Sequence, residues 1–220
     1  MAAAAVERYL GHALGRQQPA PAGVRLTMAG RIKVGRWLAF DAVQVFSGHA
    51  FTWRARAGWR RFKPVHVVDS YGDGTGSTAA RLFGRMQLMH AADENTARAA
   101  AGRAAAESIW VPWMLLPERG VAWRAEGEDL IVARVAVAPE APDVRLRIDD
   151  RGAVRSVSLM RWGNVGREDF GYIPFGADVG AERSFDGIML PSEVTVGWWY
   201  GTSRYEPFFE ARILDAAFVR

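Results

Sequence analysis

Phe51-Thr-Trp-Arg-Ala-Arg56 alternates apolar with polar residues. A little further on, His66-Val-Val-Asp-Ser-Tyr71 runs into the turn cluster Gly72-Asp-Gly-Thr-Gly76. A strand shows successive side chains to opposite faces, so Phe51, Trp53 and Ala55 share one face, and Thr52, Arg54 and Arg56 share the other. Asp-Gly is a strong hairpin signal. Working outward, Val24-Arg-Leu-Thr-Met28 repeats the alternation, and Gly30 to Phe46 predicts a hairpin with Gly35 near its turn. Towards the C-terminus, Asp143 to Ile148 and Val154 to Arg161 flank the turn Asp149-Asp-Arg-Gly152. Val194, Val196, Trp198 and Tyr200 alternate, and Phe208 to Phe218 predicts a last strand.

Helical spacing is confined to two places. Val6, Tyr9, Leu10, Ala13 and Leu14 predict an amphipathic helix over residues 3–15, ended by Pro19 and Pro21. An alanine-rich stretch predicts a helix near 94–108, with Asp93 as N-cap and Pro112 stopping it. The expected class is α+β: a single curved antiparallel sheet with two or three helices packed on it. One domain is expected over 1–220, with helix and connector in 1–20 and the sheet in 22–220.

Composition sets the limits. The chain has 220 residues, 50% hydrophobic and 24% charged, which excludes a disordered or coiled-coil state. No cysteine is present, which removes disulfides, zinc–thiolate sites and cysteine nucleophiles. The net charge of +4 rests on arginine, since Lys33 and Lys63 are the only lysines, and this bias argues against reading it as nucleic-acid binding. Nine tryptophans point to an aromatic core or cavity. Glu7 and Arg8 interrupt any signal-peptide pattern, and Ile109 to Pro117 is too short to span a bilayer. A soluble, cytoplasmic protein is expected.

Candidate chemistry is sparse. Asp69-Ser-Tyr-Gly-Asp-Gly-Thr-Gly-Ser77 lacks the Gly-Lys-Ser/Thr ending of a phosphate loop and the later ligands of a calcium loop, so a hairpin suffices. His12, His49, His66 and His90 form no ligand pair, and no metal or cofactor is expected. Asp69 follows Val67 and Val68 and is placed to face inward. Glu107 lies one turn after Arg103, where the helix runs into Ser108-Ile-Trp-Val-Pro112; it is either a surface ion-pair partner or a buried acid or base. Arg54 to Lys63 holds five basic residues interleaved with Trp53, Trp59 and Phe62; a solvated strand face accounts for them, although a nucleic-acid backbone or anionic membrane would suit them too.

Several phrases together resemble an uncharacterised bacterial family of unknown function: Arg8-Tyr-Leu10, Gly30-Arg-Ile32, Phe51-Thr-Trp-Arg-Ala55, Asp69 to Gly76, Arg103-Ala-Ala-Ala-Glu107 with Trp110-Val-Pro112, and Gly187-Ile-Met-Leu-Pro191. The resemblance spans nearly the whole chain. It departs after Arg103, where alanines replace an aromatic and a leucine, and in a longer Phe175 to Phe185. The strand-rich pattern is similar to the lipoprotein-carrier half-barrel, a curved sheet whose helices close the concave side. That fold implies either acyl-chain carriage or, as in a violacein-pathway enzyme, a cofactor-free rearrangement.

Two functions follow as expectations. One is binding of a hydrophobic small molecule or lipid by Phe51, Trp53, Trp110, Trp198 and Tyr200. The other is a cofactor-independent isomerisation or cyclisation of such a molecule. In it Asp69 or Glu107 would be acid or base, Tyr71 proton donor and Arg161 the holder of a developing anion. No nucleic-acid partner and no integral membrane segment are expected.

Overall fold

The computed structural model describes residues 2–15 and 20–220. Strands form where alternation is strict: along Arg36–Ser47, the side chains of Leu38, Phe40, Ala42, Gln44 and Phe46 are buried while Asp41 and Val45 between them face out. The strands are β1 (Gly23–Val34), β2 (Arg36–Ser47), β3 (Ala50–Trp59), β4 (Phe62–Gly72), β5 (Thr75–Leu82) and β6 (Met86–Ala91). After the helical segment come β7 (Ala122–Ala125), β8 (Leu130–Arg134), β9 (Asp143–Ile148), β10 (Val154–Gly163), β11 (Gly171–Phe185), β12 (Ile188–Trp198) and β13 (Glu206–Val219). All thirteen join one sheet in the order β6-β5-β4-β3-β2-β1-β13-β12-β11-β10-β9-β8-β7. Two meanders, β1 to β6 and β7 to β13, are therefore sewn together by the antiparallel pairing of β1 with β13. The sheet is not closed; β6 and β7 are its edges.

The helix between those edges shows the curvature. α2 (Glu94–Ala106) packs on both β5 and β10. These strands stand eight positions apart in the sheet, which would be roughly 40 Å in a flat one. The sheet therefore curls around the helix. Space there is tight: a Cβ on Gly76 of β5 would sit 2.8 Å from the Ala100 Cβ, and one on Gly102 would sit 2.9 Å from the Arg161 Cγ. Ala97, Ala101, Ala104, Ala105 and Ala106 are buried. The alanines, expected on helix propensity, are also what fits inside the curl.

Asp93 caps α2 by accepting from the Thr96 N–H at 2.8 Å. The α-helix ends at Ala106, two residues short of the expected end, because the chain tightens into 3₁₀ turns at Glu107–Trp110 and Pro112–Leu115. These carry Ile109, Trp110, Val111, Trp113 and Leu115 into the core. α1 (Ala2–Leu14) buries Val6, Tyr9, Leu10 and Ala13 against β7, β8 and β12. It stops at Gly15, whose φ of 56° is the left-handed conformation that ends helices. Of the two prolines expected to end it, Pro21 follows and Pro19 lies outside the described residues. Asp73 and Gly74, at φ 50° and 75°, form the expected tight turn between β4 and β5. Among the described residues, no helix is long and apolar enough to cross a membrane.

Candidate ligand-binding site

Inside the curl, between α2 and the sheet, lies a cavity of about 170 Å³. Its walls are largely apolar: Trp53 from β3, Ile109 and Trp110 from the first 3₁₀ turn, Phe175 from β11, and Phe208 and Phe209 from β13. Four charged side chains reach it: Asp69 on β4, Arg103 and Glu107 at the end of α2, and Arg161 on β10.

Three of them form a closed set. Arg103 donates from Nε to Glu107 Oε1 at 2.8 Å and from Nη1 to Asp69 Oδ2 at 2.8 Å. Glu107 Oε2 accepts from Gln44 Nε2 at 2.6 Å, and Asp69 Oδ1 accepts from the Thr78 hydroxyl. The Arg103 guanidinium also lies over the Phe51 ring, 4.6 Å from its centroid. Burial alone would push this guanidinium down, but the Glu107 and Asp69 carboxylates outweigh it and hold it above its ordinary value.

Arg161 is the exception. Its Nε donates to the Ala99 carbonyl at 3.0 Å, which ties β10 to α2. The guanidinium stands 4.6 Å from the Phe175 ring and 5.0 Å from the Trp198 ring. Among the described residues no carboxylate lies within ion-pairing distance of it. Burial, and next the Arg103 charge, push it down to about 10, against an upward pull from Glu107 and Asp69; it is still a cation at neutral pH. The cavity thus holds an ion-paired cluster and, apart from it, an unpaired cation against two aromatic rings. Trp53 adds an indole N–H that is buried without a partner.

The structure brings Asp69, Glu107, Arg161, Trp53 and Trp110 to this cavity, with Trp110 anchored through its N–H to the Pro191 carbonyl at 2.9 Å. Trp198 reaches it through Arg161, and Phe51 stands behind Arg103. Tyr71 and Tyr200 stand elsewhere, and here the expectation is corrected. The Tyr71 hydroxyl donates to the Ala138 carbonyl, outside the cavity wall, and burial pushes its phenol up. β12 ends at Trp198, and Trp199 takes φ 58°, which breaks the alternation on which Tyr200 depended. The Tyr200 ring instead covers Gly176 and donates from its hydroxyl to Asp178 at 2.5 Å.

The sequence reading passed over several contributors, Phe175 and Ile109 among them. Gln44 was legible as a polar residue in an inward-facing register of β2. Arg103 was seen only as the partner of Glu107. Phe208 and Phe209 both line the cavity although they are consecutive. The pairing of β12 with β13 shifts between Val196 and Gly197, and that bulge lets neighbouring residues share a face.

The class of architecture can now be stated: a curved, unclosed antiparallel sheet wrapped round a helix. A domain assigned to outer membrane lipoprotein sorting in Vibrio parahaemolyticus superposes with a TM-score of 0.52, covering 97% of this chain and 93% of its own at 10% identity. A LolA superfamily protein from Nitrosomonas europaea covers 100% and 93% at 9% identity, with a TM-score of 0.48. The chain belongs to the family of unknown function DUF6920, whose model matches residues 3–218. No curated protein matches it.

Proposed function

We propose that this protein binds a hydrophobic small molecule or lipid bearing an anionic or carbonyl head, with Arg161 holding the head and the aromatic wall taking the rest. The observation that carries this reading is an unpaired guanidinium against the Phe175 and Trp198 rings, in a largely apolar cavity whose other three charges, Asp69, Arg103 and Glu107, pair with one another. A charge in such surroundings costs free energy unless something pairs with it, and Arg103 has two carboxylates where Arg161 has none. The volume of about 170 Å³ admits a ring or a short chain. A longer tail would leave past the half-buried Ile32 and Phe208. This reading keeps the cytoplasmic location expected from the sequence, which cell fractionation tests.

A second reading is cofactor-independent acid–base chemistry on such a ligand, supported by Asp69 and Glu107 meeting Arg161 at one cavity. Each carboxylate already accepts from Arg103 on one oxygen and from Gln44 or Thr78 on the other, which leaves fewer lone pairs free for a substrate's proton. That engagement favours binding.

The test uses an anionic apolar dye, anilinonaphthalene sulfonate, beside the neutral dye Nile red. Wild type is expected to bind both and quench tryptophan fluorescence. Arg161→Met is expected to lose the anionic dye by at least ~10-fold, about 1.4 kcal/mol, while keeping the neutral one. No binding by folded wild type at micromolar dye overturns the reading.

A further inference from the structure

Antiparallel meanders bring alternate turns to one end. Here the β1–β2 turn at Gly35, the β3–β4 turn at Arg60 and Arg61, and the β5–β6 turn at Phe83 to Arg85 share an end of the sheet. They touch one another: the Arg36 guanidinium lies 4.5 Å from the Trp59 ring, the Phe62 and Phe83 centroids are 6.1 Å apart, and the Phe83 N–H donates to the Pro64 carbonyl at 2.7 Å. The surface they form is both apolar and basic. Phe62, Phe83 and Met86 are 59%, 61% and 57% exposed.

Charge on this flank is one-sided. Residues 50–92 hold seven basic residues (Arg54, Arg56, Arg60, Arg61, Lys63, Arg81 and Arg85) and two acids, Asp69 and Asp73, a surplus of five against +4 for the whole chain. Asp69 is taken by Arg103, inside the curl. Among the described residues, Arg60, Arg61, Arg81 and Arg85 have no carboxylate partner, whereas Arg124, Arg134, Arg145, Arg147 and Arg155 on the opposite flank are all paired. Among the described residues the flank holds one pair, Lys63 with Asp41, and Arg151 on the opposite flank also lacks a carboxylate partner; what marks this flank is four unpaired arginines beside exposed apolar side chains.

The turns carry a further mark. Arg60 and Phe83 sit at φ 54° and 53°, the left-handed conformation in which hairpins place Gly, Asn or Asp. A bulky residue there is less favourable than glycine, so both turns stand to gain stability from Gly.

We propose that this end of the sheet docks on an anionic membrane surface, with Phe62, Phe83 and Met86 entering the interface and Arg60, Arg61 and Arg85 meeting the lipid phosphates. Apolar tips ringed by unpaired arginines suit the boundary between headgroup and acyl chain. The cavity approaches the same end, since Ile32 lies two residues from the end of β1 and Phe208 two from the start of β13. The proposal nevertheless stands apart from the cavity reading, and its test needs no ligand.

The measurement is co-sedimentation of the full chain with phosphatidylglycerol–phosphatidylcholine vesicles and with phosphatidylcholine vesicles. Wild type is expected to favour the anionic vesicles, and to release them in about 1 M salt, where the Debye length falls to roughly 3 Å. Each arginine at such a surface is worth roughly a fivefold gain in partitioning, so Arg60→Ser with Arg61→Ser and Arg85→Ser should cut binding at least ~10-fold. Arg60→Gly with Phe83→Gly relieves both turns. It is expected to melt at or above the wild-type temperature and yet bind at least ~10-fold less. Equal binding to both vesicle types, undiminished binding by either variant, or displacement of the vesicles by a single-stranded oligonucleotide would overturn the proposal.

Discussion

At the scale of single residues, the cavity depends on how charges are shared. Glu107 has two donors on its two oxygens, Arg103 and Gln44, and its side chain is 16% exposed. It is therefore neither a solvated surface partner nor an isolated buried acid. In Glu107→Gln the amide keeps the shape, but one acceptor becomes a donor facing a donor. Urea unfolding is expected to show a loss of about 1–3 kcal/mol, the cost of an unsatisfied buried group. Binding of the anionic dye is expected to change less than in Arg161→Met, because Arg103 keeps Asp69. A loss of stability under ~0.5 kcal/mol would mean that the pairing with Arg103 and Gln44 contributes little to the fold.

At the scale of elements, α2 is a helix chosen for thinness. Ordinary propensity predicts that Gly102→Ala should stabilise it by up to ~1 kcal/mol. Here the new Cβ would lie 2.9 Å from the Arg161 Cγ, in the stem rather than the flexible tip of that side chain. Overpacking is expected to win, giving a net loss of about 1–3 kcal/mol in thermal or urea unfolding. Arg161 would also be displaced, so anionic dye binding is expected to fall with it. Gain of stability with unchanged dye binding would show that α2 has room to move. Larger side chains at Ala104 and Ala105, which are 1% and 0% exposed, have no space.

At the scale of the molecule, the seam between β1 and β13 joins chain ends nearly two hundred residues apart, with Met28 facing Ile213 across it. Pairing so distant in sequence costs loop entropy before it returns contacts. Ile213 is 1% exposed, and Ile213→Ala is expected to cost about 2–5 kcal/mol. One sheet running through both meanders should unfold as a unit, so far-UV circular dichroism and tryptophan fluorescence should give coincident curves for wild type and variant. Two separated transitions would show that the meander β7 to β12 stands without the seam.

Alternation and turn residues decided much of this architecture. Phe51, Trp53 and Ala55 are buried on one face, Asp73-Gly74 makes its turn, and the two helices lie where periodicity and capping put them. Those features were legible because each depends on residues adjacent in the chain. The inward register of Asp69 and the position of Glu107 at the end of α2 were readable for the same reason. What sequence could not supply was convergence. That Arg103 takes both carboxylates, that Arg161 is left with rings instead of an acid, and that the Tyr71 and Tyr200 hydroxyls are spent on Ala138 and Asp178 all depend on strands from both halves curling round one helix. Local pattern fixes which face a side chain takes; only the closed set of distances in the folded chain decides what that face meets.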